Sequence, residues 1–304
     1  MYSSVHRPKI VVCGATGNQG GAVAAALLKS GGWAVTALTR DPGSAAARAL
    51  ADLGAEVLAA DLLDVGSLDR VFQGAYGVFC LTQPWSYKFG RFDTDMETRQ
   101  GKNIIWACRE AAVPYVVFST VINVTGKPSG VPWIDSKIFI EELVGQYLPQ
   151  ATIVRPALYM ENVGSRLLRL HGNSIVGRFG GDALIPYIAL SDVGASVTEI
   201  FGTPERYAGD RVILAGDIVS GKEIAALLSG SSSERKFSYG PVSELRLRLF
   251  SPAFFFMRKF FQEQGIVLHA GHAPNIMHKM LPHDPVSMED FLNASAGRLI
   301  AAAS

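Results

Sequence analysis

Cysteine is scarce in this chain. The 304 residues hold three, Cys13, Cys80 and Cys108, set far apart in apolar runs, with no CxxC pair and no Cys/His cluster of zinc spacing. A disulfide framework and a structural zinc are thereby argued against, and the thiols read as reduced core residues of an intracellular protein. A bias of charge is also lacking: 28 Lys and Arg face 27 Asp and Glu. Nothing in that balance draws the chain to nucleic acid over long range. Long apolar runs are missing too. The stretch Ile10 to Leu28 is uncharged, but Asn18-Gln19 and four glycines interrupt it, so it reads as strand, loop and helix rather than as a span of about 20 apolar residues. Ser251 to Met257, with Phe254, Phe255 and Phe256, is halted by Arg258 and Lys259 and reads as a helix packed over a pocket or a partner. No apolar stretch of signal-peptide length precedes Lys9. A soluble, cytoplasmic protein with no membrane partner and no direct nucleic-acid partner is expected.

What is present is an alternation. Strand-like runs at Lys9 to Cys13, Trp33 to Thr39, Glu56 to Ala60, Tyr76 to Leu81, Tyr115 to Ser119 and Ala151 to Val154 are separated by longer helical patterns. The helices are placed at Gly20 to Ser30, Pro42 to Leu53, Thr94 to Ala112 and Trp133 to Tyr147. This order predicts a Rossmann-type doubly wound parallel sheet over residues 1–155, with ligands at the C-terminal ends of its strands. After Pro156 the alternation weakens, and residues 156–304 read as a smaller α+β lobe on the substrate or partner side. Within it, Ser191 to Phe201 reads as a helix and Arg211 to Ala215 as a strand, and residues 184–215 are expected to return an element to the first domain. Lys222 to Leu228 reads as a further helix, and the Gly/Ser tract Ser229 to Ser233 as a flexible turn.

The loop between the first strand and the first helix reads Gly14-Ala15-Thr16-Gly17-Asn18-Gln19-Gly20. Glycines there let the backbone turn tightly and aim N–H groups and a helix N-terminus at a pyrophosphate. The spacing is GxxGxxG rather than the commoner GxGxxG, and its place between strand and helix is what makes it a dinucleotide site. The second strand ends Leu38-Thr39-Arg40-Asp41. Where an acidic residue would take the ribose hydroxyls of NAD, Arg40 arrives first, with a planar fork suited to a 2′-phosphate. NADP(H) is therefore the expected cofactor, with Asp41 keeping NAD(H) open. Asp61-Leu62, after the third strand, can set a carboxylate near the adenine amine.

Taken together, Gly14 to Gly20, Thr39-Arg40, Asp61-Leu62, Thr82-Gln83-Pro84, Lys137 and Tyr159-Met160-Glu161-Asn162 resemble the NmrA-like family of atypical short-chain dehydrogenase/reductases. The resemblance runs from Ile10 to about Ser229. It implies that the glycine loop holds the pyrophosphate, that Arg40 holds the 2′-phosphate and that Asp61-Leu62 flank adenine. It further implies that Thr82 to Pro84 and Tyr159 to Asn162 line the cofactor. Arg99 matches a position where some relatives carry a cofactor-contacting lysine.

Dehydrogenases of that wider superfamily place Tyr-x-x-x-Lys on one helix, the lysine gripping the ribose and lowering the phenol pKa from about 10 toward neutrality. Here the segment reads Trp133-Ile134-Asp135-Ser136-Lys137. An indole donates but does not titrate usefully, so the phenolic acid is missing. Lys137 is then the candidate for holding the ribose and for acid–base work. Ser119 and Thr120, after the fifth strand, are candidates for the superfamily hydroxyl, strand parity deciding which faces the nicotinamide. Trp85, Tyr87 and Trp133 are candidates for the substrate pocket, Tyr87 and Tyr159 being the phenols available from other loops.

His269, His272, His278 and His283 crowd the C-terminal segment, but Gly271 and Pro274 break any helix that would orient them, and a lid over a lipophilic substrate is the simpler expectation; no metal is expected. The functional reading is an NADP(H)-dependent oxidoreductase acting on a small aromatic or lipophilic carbonyl or unsaturated substrate, as monomer or homodimer. The alternative is a non-catalytic NADP(H) sensor that binds a protein partner, which the missing phenol would explain.

Overall fold

The computed structural model describes residues 7–86, 91–232, 235–271 and 284–302. Two compact units divide the chain: Met1–Val121, Ser136–Arg155 and Val193–Val212 form the first, and Ile122–Asp135, Pro156–Asp192 and Ile213–Ser304 the second.

The first unit begins with β1 (Lys9–Val12), α1 (Asn18–Ser30), β2 (Ala34–Thr39), α2 (Ala45–Asp52), β3 (Glu56–Ala59) and α3 (Val65–Phe72). It continues with β4 (Gly77–Leu81), the short hairpin β5 (Trp85–Ser86) and β6 (Arg91–Phe92), α4 (Thr94–Glu110), β7 (Tyr115–Ser119), α5 (Pro132–Tyr147) and β8 (Thr152–Pro156). Local chemistry sets these boundaries. Ser44, Asp64 and Asp93 each accept a backbone N–H at the start of α2, α3 and α4. Gly31, in the left-handed region at φ 73°, closes α1 with its N–H on Leu28 O.

In the second unit lie β9 (Leu158–Tyr159), a 3-10 turn (Met160–Asn162), β10 (Leu168–His171), β11 (Ser174–Gly177) and β12 (Ile185–Ile188). α6 (Leu190–Gly202) and α7 (Pro204–Tyr207) return to the first unit, and β13 (Arg211–Leu214) joins its sheet. Then follow β14 (Asp217–Val219), α8 (Gly221–Gly230), β15 (Ser238–Pro241), α9 (Glu244–Phe250), α10 (Pro252–His269) and α11 (Met288–Ala302).

The main sheet has seven strands in the order β13-β8-β7-β4-β1-β2-β3. The pairs from β8 across to β3 are parallel, and bonds from Ile153 N to Asp210 O and Ala157 N to Leu214 O dock β13 on the edge. The fold is thus a Rossmann-like α/β sheet. Its strand order reverses beside β1, the chain winding first toward β3 and then from β4 toward β13, so the crevice at the β1/β4 ends is the switch point where such sheets bind ligands. One apolar core of this unit gathers all three cysteines, fully buried and unpaired, and burial pushes the Cys80 thiol well up.

The second unit holds two three-stranded sheets, β10-β11-β15 and β14-β12-β9. The phenylalanine run expected to pack as a helix opens α10, with Phe255, Phe260 and Phe261 buried. A Cβ on Gly265 would stand 2.1 Å from Leu184 O, so glycine is what lets α10 approach the chain before β12.

Two local expectations change. The helix α3 was not among the expected elements, although Val65, Leu68, Val71 and Phe72 recur at helical spacing; Asp64 caps it and Leu68, Val71 and Phe72 bury it. Ser229 and Gly230, read as part of a flexible turn, complete α8 instead. A Ser220/Glu223 capping box starts that helix, and the Ser229 hydroxyl donates to Ala225 O and accepts from Phe237 N.

Candidate functional site

The glycine loop follows β1 at the switch point. Gly14 has φ +62°, and a Cβ on Gly20 would lie 2.3 Å from Gly14 O, so both positions require glycine for the turn to close against α1. Gly17 is the N-cap of α1 and supplies no side-chain acceptor, which leaves the N–H groups of the first turn to an external anion. The loop therefore fits a pyrophosphate. Thr16 Oγ1 lies 3.2 Å from Thr39 Oγ1, joining the loop to the end of β2.

Arg40 stands exposed directly after β2, while Thr39 accepts the N–H of Asp41 at 3.1 Å. Asp61 accepts Leu63 N at 2.9 Å, and Asn103 donates to Leu62 O at 2.9 Å, fixing the turn after β3. Both turns sit at C-terminal strand ends, as a groove for the adenosine half requires.

At the end of β4 the site becomes ionic. Lys137 Nζ donates to Glu97 Oε1 at 2.6 Å, to Thr82 O at 3.1 Å and to Thr82 Oγ1 at 3.3 Å. Glu97 is completely buried, and its carboxylate also accepts the hydroxyls of Thr82, at 2.9 Å, and Ser136. A buried carboxylate needs such a shell, because a charge removed from water must be paired and hydrogen-bonded. One helical turn on, Gln100 accepts Gln83 N at 2.9 Å. The turn Thr82-Gln83-Pro84 is thus held by α4 and α5 together.

Glu97 and Gln100 were missed in the sequence, where attention fell on the intervening Arg99, which is exposed. In the first turns of a polar helix a buried glutamate looks like any solvated one. The signal available was the lysine: once its lost tyrosine partner is noticed, a carboxylate within reach of it becomes worth seeking.

Ser119 and Thr120 part company as strand parity demands. Ser119, paired with Leu81 across β4 and β7, is 2 % exposed and accepts Gln19 Nε2 at 2.6 Å, which ties it to the glycine loop. Its own O–H remains available as a donor. Thr120 instead donates to Glu141 Oε2 at 3.0 Å, within a cluster completed by Arg155 and Arg211.

Of the remaining candidates Trp85 lies in the first unit, and the others lie in the second unit or outside the described residues. Trp133 opens α5 four residues before Lys137, half-buried, with its ring centroid 5.5 Å from that of Phe254. Tyr159 is partly buried, and burial followed by the charge of Glu161 pushes its phenol far above the usual tyrosine range, which makes a phenolate there costly. Met160 is buried; Glu161 accepts Leu190 N at 3.0 Å through Oε1. Burial raises the Glu161 carboxyl, and Oε2 has no partner among the described residues. Asn162 closes the same 3-10 turn. In the first unit Trp85 packs edge-on against Phe92 at 5.2 Å. Tyr87 and the histidines 272, 278 and 283 fall outside the described residues; among those described no His, Cys, Asp and Glu group could hold a metal ion, and no helix is long and apolar enough to cross a membrane.

The model of the NmrA-like family matches residues 6–292. The chain belongs to the NmrA-like family. Its curated relatives carry the same description: it is 33 % identical over 234 residues to the NmrA-like family domain-containing oxidoreductase FrzB of Cladobotryum sp, a match covering 67 % of each chain. To the oxidoreductase notA of Aspergillus sp. (strain MF297-2) it is 28 % identical over 312 residues, covering 93 % of this chain and 88 % of the relative. Among solved structures, the negative transcriptional regulator NmrA superposes with a TM-score of 0.75 at 19 % identity, covering 97 % of this chain and 98 % of that one. The Escherichia coli NADPH-dependent quinone oxidoreductase QOR2, solved with NADPH, superposes with a TM-score of 0.71 at 21 % identity, covering 94 % and 98 %. These structural likenesses establish that this NmrA-like chain has their fold.

Proposed function

We propose that this NmrA-like chain is an NADP(H)-dependent reductase that acts on a small aromatic or lipophilic carbonyl or unsaturated compound, with residues 1–155 and the returning segment 184–215 as its cofactor domain. The observation that carries the reading is the Lys137–Glu97–Thr82 cluster at the switch point, together with Ser119 held on the glycine loop by Gln19. A lysine fixed at that place by Glu97 and Thr82, in a chain without the superfamily tyrosine, has a use in positioning a ribose and supplying a proton. The names of the curated relatives support oxidoreduction.

When bound, the reduced nicotinamide supplies hydride to an electrophilic carbon of the substrate. Lys137 would hold the nicotinamide ribose hydroxyls, exchanging one of its bonds to Thr82 to do so. The Ser119 O–H would donate to the substrate oxygen as negative charge develops there. Gly14, Ala15, Thr16, Gly17, Asn18, Gln19 and Gly20 would bind the pyrophosphate, Asp61 and Leu62 the adenine, and Arg40 the 2′-phosphate. Trp133, with Phe254 against it, and Trp85 would supply apolar surface for the substrate.

Two measurements test this. NADPH oxidation followed against enones, quinones and imines should show turnover that Lys137→Ala abolishes; tight NADPH binding with a silent panel and a cofactor-dependent protein partner would replace the enzyme by the sensor. Arg40→Ala should weaken NADPH by about 30-fold and NADH by less than threefold, the expected size of a lost charge-assisted pair. Equal losses would show that Arg40 does not meet the 2′-phosphate.

A further inference from the structure

A cleft of about 540 Å³ in the second unit is lined by four arginines, Arg166, Arg169, Arg178 and Arg246, and none of its lining side chains is acidic. No ion pair among the described residues involves any of the four. In a chain whose charges sum to only +1, this is a local concentration of one sign, and the volume lies in the range of small-molecule sites, about 300–1,000 Å³.

The cleft is built rather than incidental. Its floor is the outer face of the sheet β10-β11-β15. Arg169 pairs with Val176 across β10 and β11, and Val176 pairs with Gly240 on β15, so one row across the sheet reads charge, apolar surface, bare backbone. The opposite face of the same strands, with Leu168, Leu170 and Ile175, is buried. The far wall comes from α9, which contributes Arg246 and Phe250, the latter 78 % exposed.

Arg258, buried on α10, sets the distance between the walls. Its Nε donates to Arg178 O and its Nη2 to Val242 O, each at 2.6 Å, and both of those residues line the cleft. Arg178 in turn lies over the Phe254 ring at 3.7 Å, a stacked position that holds its planar fork in one orientation. Partial burial lowers its pKa by desolvation, which is the cost an anionic partner would relieve.

Guanidinium forks recognise carboxylate, phosphate and sulfate through paired hydrogen bonds. A purely inorganic anion would leave Val176 and Phe250 in water; a neutral lipophile would leave four cations facing an apolar body. We infer that this cleft binds an anionic amphiphile, a phosphate, sulfate or carboxylate carried on a short apolar body, with Arg169 and Arg246 taking the anion from opposite walls and Val176 and Phe250 covering the apolar part. The inference concerns a site of the second unit and stands independently of whether the first unit transfers hydride.

Octyl phosphate, titrated calorimetrically below its micelle concentration, is the probe. Saturable binding of one equivalent is expected, at least tenfold tighter than inorganic phosphate, with no binding of the neutral amphiphile octyl glucoside. The double variant Arg169→Gln/Arg246→Gln removes two exposed side chains that make no ion pair. It should weaken octyl phosphate by at least tenfold while NADPH binding and the thermal midpoint stay unchanged. Equal binding of octyl glucoside, equal binding of inorganic phosphate, or an unaltered affinity in the double variant would each overturn the proposal. Sedimentation with phosphatidylserine vesicles, against phosphatidylcholine vesicles, separates the sources of the anion. Capture by phosphatidylserine without binding of monomeric octyl phosphate would overturn the cleft as a single-molecule site in favour of a membrane-facing surface.

Discussion

Glu97 and Glu141 are both buried carboxylates of the first unit, and both reach across to α5 or sit on it, yet their surroundings differ in kind. Glu97, on α4, meets one lysine and two hydroxyls at the end of β4. Glu141, on α5, meets Arg155 of β8, Arg211 of β13 and the Thr120 hydroxyl. Two planar forks on neighbouring strands clamp Glu141 from fixed directions and fasten α5 to the edge of the sheet. The lysine on Glu97 is a compact charge on a flexible stem, able to trade one acceptor for another while staying paired. The first arrangement suits a joint of the fold. The second suits a place where a ligand enters and the hydrogen bonds must rearrange. Lys137 and Glu141 are four residues apart on one helix face, so α5 carries the joint and the site side by side.

The two carboxylates differ most in what their cations do, and Lys137 is where that difference should be largest. Lys137→Ala should lower NADPH turnover by roughly 10³-fold, within the range expected when a positioned acid–base group is lost. Because Glu97 is left buried without its cation, stability should also fall by about 3 kcal/mol. Adding Glu97→Gln removes the stranded charge, so the double variant should regain most of the stability and none of the turnover. Recovery of both would make the lysine a structural cation only. Glu141→Gln is the counterpart: a stability loss of about 3 kcal/mol in denaturant unfolding, with turnover per folded molecule kept within twofold. Should its turnover fall with folding intact, the two carboxylates would not be separable as argued.

Ser119 and Thr120 sharpen the same contrast between neighbours. Ser119→Ala should reduce kcat about 100-fold with little change in unfolding, the effect of one hydroxyl donor at a developing oxyanion. Thr120→Val should leave kcat alone and lower stability by about 1.5 kcal/mol, since it strands an acceptor on Glu141. The opposite pattern would mean that the strand end presents the other face to the substrate.

How much of this was legible beforehand depends on the range of the interaction. The strands of the main sheet from β1 to β8 and the glycine loop were readable because each depends on neighbours in sequence: apolar runs, a cap, a turn. The same holds for Arg40 and Lys137, whose places follow from the strand and helix that carry them. Glu97 was not readable, because its burial comes from Lys137, forty residues on, and from Thr82, fifteen residues back. The arginine cleft was hidden for the same reason. Arg166, Arg169, Arg178 and Arg246 are scattered over eighty positions and become a cluster only when β10 pairs with β11 and α9 folds beside them. The choice between Ser119 and Thr120 depended on a parity that single-residue uncertainty at a strand end obscures; the fold shows Ser119 toward Gln19 and Thr120 toward Glu141.

The smallest expected effect falls at Trp133, and it is the one that bears on the missing phenol. Its indole packs on Phe254 and is half-buried, so it has surface to give a substrate but no titrating proton. Trp133→Phe keeps most of that surface and removes the N–H. Turnover should change by less than about threefold, with any loss appearing in KM rather than kcat, because a packing contact is felt about equally by substrate and transition state. A fall of kcat by two orders of magnitude, with KM steady, would instead show the indole N–H holding charge that exists only in the transition state. The proton path would then have to run through α5 at both Trp133 and Lys137, and the helix turn that elsewhere carries tyrosine and lysine would still act as a pair, with a hydrogen-bond donor standing where the superfamily has an acid.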